Sequence, residues 1–435
     1  MKPWKWRPAT AAVALLGVIA TAYGAEEFTF DASQFQKKPF EFGGYIELKH
    51  DTFSLNQGSA FYNLNFLRQP QRSTLDRTTA TFKPSAKIRA GIATLSLRAH
   101  MDYVDDNFGS EQTNRFDELY VSLKPDPSFT FEAGKIVLKW GKGYAWNPVA
   151  FFERTKDPND PELAREGFSI VSADLIRNFD GPLQAMALTP VLLPTTNGLN
   201  SDFGSPGHLN AGAKLYLLYR DTDIDFVFAG NGSFSQRYGV DFSRNLGSNL
   251  EIHGEWARVA NFAQRITSAL GDVTTRSGDA TSYLLGGRYL TANDTTYIAE
   301  YYRNGAGFTE QQVTDFFELV ENGLNPIQSI AGAALLRKAI EAAQSGYGRP
   351  NPGRHYAYVR VSQKEPFDIL YFTPALTTIV NLDDRSFSIT PELFYTGINN
   401  LELRLRAVFL VGVDNTEFGE KANSRRLELQ ARLYF

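Results

Sequence analysis

Residues 424–435 read Ser-Arg-Arg-Leu-Glu-Leu-Gln-Ala-Arg-Leu-Tyr-Phe. Side chains alternate sides along an extended strand with period two. Leu427, Leu429, Ala431, Leu433 and Phe435 therefore share one face, and Arg426, Glu428, Gln430, Arg432 and Tyr434 share the other. The alternation runs to the last residue, which is aromatic. A strand of this length, apolar on one side and charged on the other, needs an apolar medium against one face and a polar one against the other. A β-sandwich provides that, and so does a barrel in a bilayer; the rest of the chain decides between them.

The amino terminus reads as an export leader. Lys2, Lys5 and Arg7 form a positive segment, residues 9–22 an apolar one, and Ala22-Tyr23-Gly24 a small-residue cleavage site, with cleavage after Gly24. The alternative, a membrane anchor, needs about 20 apolar residues, and this run is shorter and broken by Gly17. Residues 25–39 read as a periplasmic lead-in. The sequence holds 44 basic and 48 acidic residues. Without the leader's three basic residues the net charge is −7, which excludes a general nucleic-acid footprint. No cysteine is present, so an exported chain of this kind relies on its hydrogen-bonded wall and not on disulfides.

No second apolar run can cross a bilayer as a helix. A membrane protein of this sequence must then be a closed barrel, because in lipid only helices and closed barrels pair every backbone group. Period-two segments are expected at 40–52, 75–89, 92–103, 115–124, 128–139, 168–179, 182–193, 210–220, 223–230, 235–244, 248–260, 281–291, 295–304, 354–363, 371–381, 386–396, 401–412 and the terminal strand. Tight turns and long loops alternate between them. This predicts an all-β, up-and-down antiparallel transmembrane barrel over 40–435 with about 18 strands. Weak alternation at 182–193 and 371–381 leaves sixteen as the runner-up. The slightly negative mean hydropathy of −0.28 fits a wall apolar on one face only.

With its Phe435 end, leader and loop pattern, the chain resembles Gram-negative outer-membrane porin-type barrels. The resemblance implies outer-membrane localisation and contact with outer-membrane lipid. It also implies assembly by the barrel-assembly machinery, with Tyr434 and Phe435 in the signal. The implied function is diffusion or export of a hydrophilic small solute or polysaccharide, with no cofactor. Monomer and trimer are both open. A barrel scaffold sheathing a partner protein is the alternative function, and a barrel enzyme the weaker one.

The phase of the alternation assigns Arg98, His100, Glu132, Lys214, Arg237, Glu251, Glu255, Arg288, Glu300, Arg360, Glu392, Glu402, Arg404, Arg406, Arg426, Glu428 and Arg432 to the lumen. Arg404, Arg406, Arg426 and Arg432 crowd two neighbouring strands. A row of arginines lowers the barrier for anions and can take carboxylate or phosphate bidentately. The same residues can instead brace the wall by pairing with Glu402 and Glu428.

Residues 140–167 form a long connection bearing Trp140, Lys142, Trp146, Arg154 and Lys156. Gly141-Lys142-Gly143 is no phosphate loop, since the spacing from Gly134 is wrong and no Ser or Thr follows. Trp140-Gly-x-Gly and Trp146-Asn-Pro resemble the alginate-export-like group of large barrels. An inward-folded constriction stiffened by Pro148, Pro158 and Pro161 and a rim loop are both open. Residues 309–345 read as the only helical stretch. Thr309 and Gln312 form a capping box, Asn322-Gly323 a stop, Asn325-Pro326 a restart and Gly346 an end. These helices, within 305–353, can cap the mouth, plug the lumen or pack on themselves.

Catalysis finds little support. His253 between Glu251 and Glu255 is a conceivable acid–base or metal cluster, but such a histidine is more often a structural partner. Asp221, Asp223 and Asp225 lack the glycine and distal glutamate of a calcium loop. No catalytic or metal site is expected.

Overall fold

The computed structural model describes residues 38–67, 69–158, 166–325 and 329–435. The leader, and all of the expected lead-in except Lys38 and Pro39, lie outside the described residues. The described residues form 18 strands. They are β1 (Phe40–Leu55), β2 (Thr74–Ala90), β3 (Ala93–Asp106), β4 (Gly109–Asp126), β5 (Phe129–Ile136), β6 (Phe168–Asn178), β7 (Leu183–Thr195), β8 (His208–Tyr219) and β9 (Thr222–Ala229). There follow β10 (Arg237–Leu246), β11 (Leu250–Thr267), β12 (Val273–Leu290), β13 (Thr295–Arg303), β14 (His355–Gln363), β15 (Phe372–Asn381), β16 (Phe387–Ile398), β17 (Leu401–Val411) and β18 (Asn423–Tyr434). Each strand pairs with the next, and β1 pairs antiparallel with β18, Tyr45 opposite Tyr434 and Asp51 opposite Glu428. The sheet is thus closed and has no free edge.

The alternation decides which face turns outward. In β18, Leu427 and Leu429 are 47% and 51% exposed, while Glu428 and Gln430 are 2% and 7% exposed. A wall apolar outside and polar inside is what a bilayer requires of a barrel. At the seam Phe435 donates its N–H to the Gly44 carbonyl at 3.1 Å, and its ring stands 5.7 Å from Phe42 and 5.9 Å from Phe82.

The strand count of 18 holds, and sixteen does not. Two expected loops do not exist as such. Residues 104–114 pair as the ends of β3 and β4 around Asn107 and Phe108, and 261–280 continue β11 and β12 into a long hairpin turned at 268–272. Alternation of polarity stops where lipid stops, but backbone pairing continues outside the membrane. That is why a pattern-based reading ends these strands early. In the other direction, β5 ends at Ile136, short of Lys139.

Among the described residues three α-helices lie in the long connections: α1 (Ala60–Asn65), α2 (Glu310–Leu324) and α3 (Ile330–Ala342). The sequence reading missed α1, a single turn and a half capped by Ser59. The Thr309–Gln312 capping box opens α2 as expected. Asn325 instead closes α2, and Ser329 caps α3 by accepting from the Gly332 N–H at 2.9 Å. The expected proline at the restart, Pro326, lies outside the described residues. After α3 the chain makes a wide turn over Ala343–Tyr347, with Gly346 in it.

Phe316, Phe317, Val320, Leu336, Ala339, Phe308 and Tyr347 bury the helical stripes against one another. Phe61 of α1 joins them, 5.7 Å from the Phe316 ring. The β17–β18 connection ties in as well, with Glu420 accepting from the Ala60 N–H at 2.6 Å. The β1–β2 and β13–β14 connections spring from strands six places apart around the ring. Their contact therefore runs along a chord of the ring and not between neighbouring hairpins.

Candidate functional site

The segment after β5 does not stand on the rim. It turns inward and runs along the inner faces of β8 to β14. Two buried carboxylates grip its backbone. Glu255 of β11 accepts from the N–H groups of Lys142 at 2.6 Å, Gly143 at 2.7 Å and Val149 at 3.3 Å, and from Asn147 Nδ2 at 3.1 Å. Glu300 of β13 accepts from the N–H groups of Tyr144 and Ala145, the latter at 2.9 Å. Consecutive amides pointing at one anion need a tight backbone, and the two glycines supply it. Gly141 has φ +86° and a Cβ there would stand 2.8 Å from Glu255 Oε1; at Gly143 it would stand 2.1 Å from the Trp146 carbonyl oxygen.

The aromatic groups of the segment fill the inner wall. Trp146 stacks on Tyr302 at 5.1 Å, with Tyr356 and Tyr358 around it. Trp140 meets Phe152 edge-on at 5.6 Å, and Val149, Phe151 and Phe152 join the cluster of Ile170, Leu193 and Val227. The three cations expected to line a constriction are all engaged. Lys142 Nζ lies 2.9 Å from Asp225 and 3.8 Å from Asp241. Burial opposes its charge, yet the nearby aspartates hold its pKa above the usual lysine value. Lys156 donates to the Gly143 carbonyl at 2.6 Å. Arg154 pairs with Asp202 and Glu166 and covers the Phe168 ring at 4.4 Å. Burial and the Glu251 carboxylate, to which it donates at 2.7 Å, push the Tyr144 phenol up to about 12. Of the three prolines expected to stiffen the segment, Pro148 and Pro158 are among the described residues and Pro161 lies outside them.

His253 belongs to this clamp. Its Nε2 is 2.9 Å from Glu300 and its Nδ1 is 3.7 Å from Glu251, whereas Glu255, its expected neighbour, turns to the loop amides. Among the described residues no group of three potential ligands could hold a metal ion.

The arginine row faces inward and runs through carboxylates. Glu392 of β16 receives Arg360 at 3.1 Å, Arg404 at 3.2 Å and Arg406 at 3.1 Å. Arg406 also approaches Glu428 at 3.6 Å. Arg426 bonds Asp51 at 2.7 Å and pairs with Glu428. Arg432 reaches Glu47 at 2.7 Å and Glu402 at 3.3 Å, and Tyr434 donates to Glu402 at 2.8 Å. The row is therefore a network of ion pairs from β14 round to β1, joined by Asp51 and Glu47, which the sequence reading did not single out. Of the remaining expected lining residues, Arg98 pairs with Glu118 at 2.9 Å and Lys214 lies 3.9 Å from Asp225 and 5.9 Å over the Trp140 ring. Arg237 covers the Phe234 ring at 4.2 Å, and Arg288 lies beside the Tyr144 phenol.

One inner cluster escaped the sequence reading. Lys83 bonds Asp117 at 2.7 Å, and His100 and Arg115 reach the same carboxylate at 3.1 Å each. Asp117 is the extra residue of a bulge opposite Arg98 and Ala99, so its direction does not follow from alternation. The alternation of β2, with Lys83 on the face opposite Phe82, was the one available signal.

No protein-family model matches the chain, and no curated protein matches it. Solved structures do. Acinetobacter baumannii OccAB1 superposes with a TM-score of 0.54 and 11% identity over 91% of this chain and 96% of that one. Pseudomonas aeruginosa OccK5 (OpdH) gives 0.51 and 11% over 91% and 98%. Pseudomonas aeruginosa OprD gives 0.50 and 11% over 92% and 97%. The alginate-export-like resemblance of Trp140 to Pro148 finds no counterpart in these comparisons. At such identities the likeness is one of fold, and it takes in nearly the full length of each chain.

Proposed function

We propose that the protein is an outer-membrane channel for small hydrophilic solutes, with anions favoured, and that the inner loop at 140–158 narrows its lumen. One observation supports the preference. The arginine row is close to charge-balanced, but its two signs are not equally accessible. The side chains of Arg360, Arg426 and Arg432 are 28%, 27% and 23% exposed. Their partners Glu392, Asp51, Glu428 and Glu47 are 5%, 3%, 2% and 12% exposed. A solute in the lumen meets guanidinium first, with the carboxylates behind it against the wall. Charge at that distance counts most, because more remote groups are screened beyond about 8 Å.

Arg406 is different: at 5% exposure it braces the wall and offers little to a solute. The cluster of α1–α3 and the inner loop suit small carboxylates or acidic sugars better than a polymer, and leave little room for the sheathed-partner alternative. Direction, uptake or export, then follows the solute's gradient. Swelling of proteoliposomes in isotonic solutions of a small sugar acid, its neutral sugar and a diamine tests the proposal. The account expects the sugar acid to enter fastest; equal rates, or entry of the diamine first, would overturn it.

A further inference from the structure

The outward wall is not uniform. Between β7 and β11 it carries an open groove of about 350 Å³. Ala213 of β8, a small residue on the lipid side, is part of its lining. Around it stand Leu188, Leu215, Phe226, Phe228, Tyr238 and Trp256. Register explains the shape: Ala213 lies opposite Phe228, Phe228 opposite Tyr238, and Val240 opposite Trp256. Two rows of the outward face thus line it, Ala213 with Phe228 and Tyr238 in one, and Leu215 with Phe226, Val240 and Trp256 in the other. The Phe228 and Tyr238 rings are 5.5 Å apart and form one flank.

The backbone under the groove is braced from inside. A Cβ on Gly212 would meet the Phe152 ring at 2.3 Å, and one on Gly239 would meet Val149 at 2.9 Å. The inner loop therefore presses directly against the strands that form the floor, and the floor cannot rise to fill the dent.

We propose that this groove is a binding site for one acyl chain of a membrane lipid. The proposal rests on the reading of the wall as lipid-facing. The groove is continuous with that surface. Its lining offers only the Tyr238 hydroxyl and the Trp256 indole N–H as polar side-chain groups, too few for ordered water, which needs two to four polar partners. Its volume falls at the lower end of the roughly 300–1,000 Å³ of small-ligand sites. A fluid bilayer packs poorly over a fixed concavity, so a chain seated there exchanges more slowly than its neighbours. The groove sits toward the end of β9 and β10 that leads into the 230–236 connection, which places it in the outer half of the wall.

Trp256 is the one tryptophan on the outward face among the described residues; Trp140 and Trp146 are buried inside. It is a built-in reporter. The protein is reconstituted in phosphatidylcholine vesicles whose acyl chains carry bromine, which quenches indole on contact. It is then diluted into excess unbrominated vesicles. Trp256→Phe supplies the background from the protein's other tryptophans. The expected result is quenching that survives dilution far longer than lipid mixing takes, and that is lost promptly in Ala213→Phe, whose ring intrudes on the groove. Ala213→Leu gives the same comparison should the larger side chain fail to fold. Quenching that falls at once to the bulk bromine fraction in the native protein overturns the proposal. So does a crosslinked dimer through position 213 that displaces the brominated chain, because the occupant is then a second copy. Loss of solute selectivity with the slow quenching intact would fault the channel reading and leave this site standing.

Discussion

Replacing Glu255 by alanine removes the main clamp on the inner loop and leaves the barrel wall in place. Glu255 is 3% exposed and accepts four N–H groups, three of them backbone. A hydrogen bond to a charged group contributes about 1.5–3 kcal/mol, and a buried donor left unpaired costs about 1–3 kcal/mol. The four bonds are not additive, since one carboxylate serves them all and Glu300 still holds Tyr144 and Ala145. A loss near 3 kcal/mol for docking of 142–149 is a fair working figure, roughly a hundredfold or more in the opening constant. β11 itself stays paired with β10 and β12 along its length. Hydrogen exchange in detergent should therefore show the amides of 142–149 losing protection by about two orders of magnitude, with strand amides unchanged. Single-channel records should become noisier and larger in conductance. Glu255→Gln, which keeps one acceptor oxygen, should fall between. Unchanged protection of 142–149 in a folded alanine variant would refute the clamp.

Three further outcomes follow from the geometry. Phe435→Asp should impair membrane insertion, because it breaks the ring contacts with Phe42 and Phe82 at the closing seam and places a charge where lipid is met; normal levels of the heat-modifiable folded form would contradict this. Burial raises the Glu417 carboxyl above its ordinary pKa, so its protonated form favours docking. Docking of the β17–β18 connection should accordingly be strongest at acid pH and weaken as pH rises through the raised value, and Glu417→Gln should flatten that dependence in exchange rates corrected for pH. Thr309→Ala removes the capping box of α2 and should cost about 1 kcal/mol of local stability, read as faster proteolysis of 310–324.

What could be read in advance was what lipid enforces. An apolar medium outside and a polar one inside impose period two, so β18, the count of eighteen and the inward phase of Arg404 or Glu428 follow from the order of residues. Beyond the membrane that constraint disappears, and the outer ends of β11 and β12 pair without displaying it. The inner loop was visible as glycines and tryptophans but not as a docked object. Its anchors, Glu255 and Glu300, lie more than a hundred residues away and grip it mainly through backbone N–H groups. Asp51 and Glu47 were hidden because the ladder they complete crosses the seam between the first strand and the last. Asp117 was hidden by a bulge.

The central claim is that guanidinium groups stand in front of their carboxylates and set the preference of the pore. Reversal potentials of single channels in asymmetric salt test it most directly, in the native protein and in the triple variant Arg360→Gln, Arg426→Gln, Arg432→Gln. The account predicts anion selectivity in the native channel and a clear shift toward cations in the triple variant, with Arg406→Gln shifting far less. A native channel that already prefers cations, or a folded triple variant with an unchanged reversal potential, would contradict it.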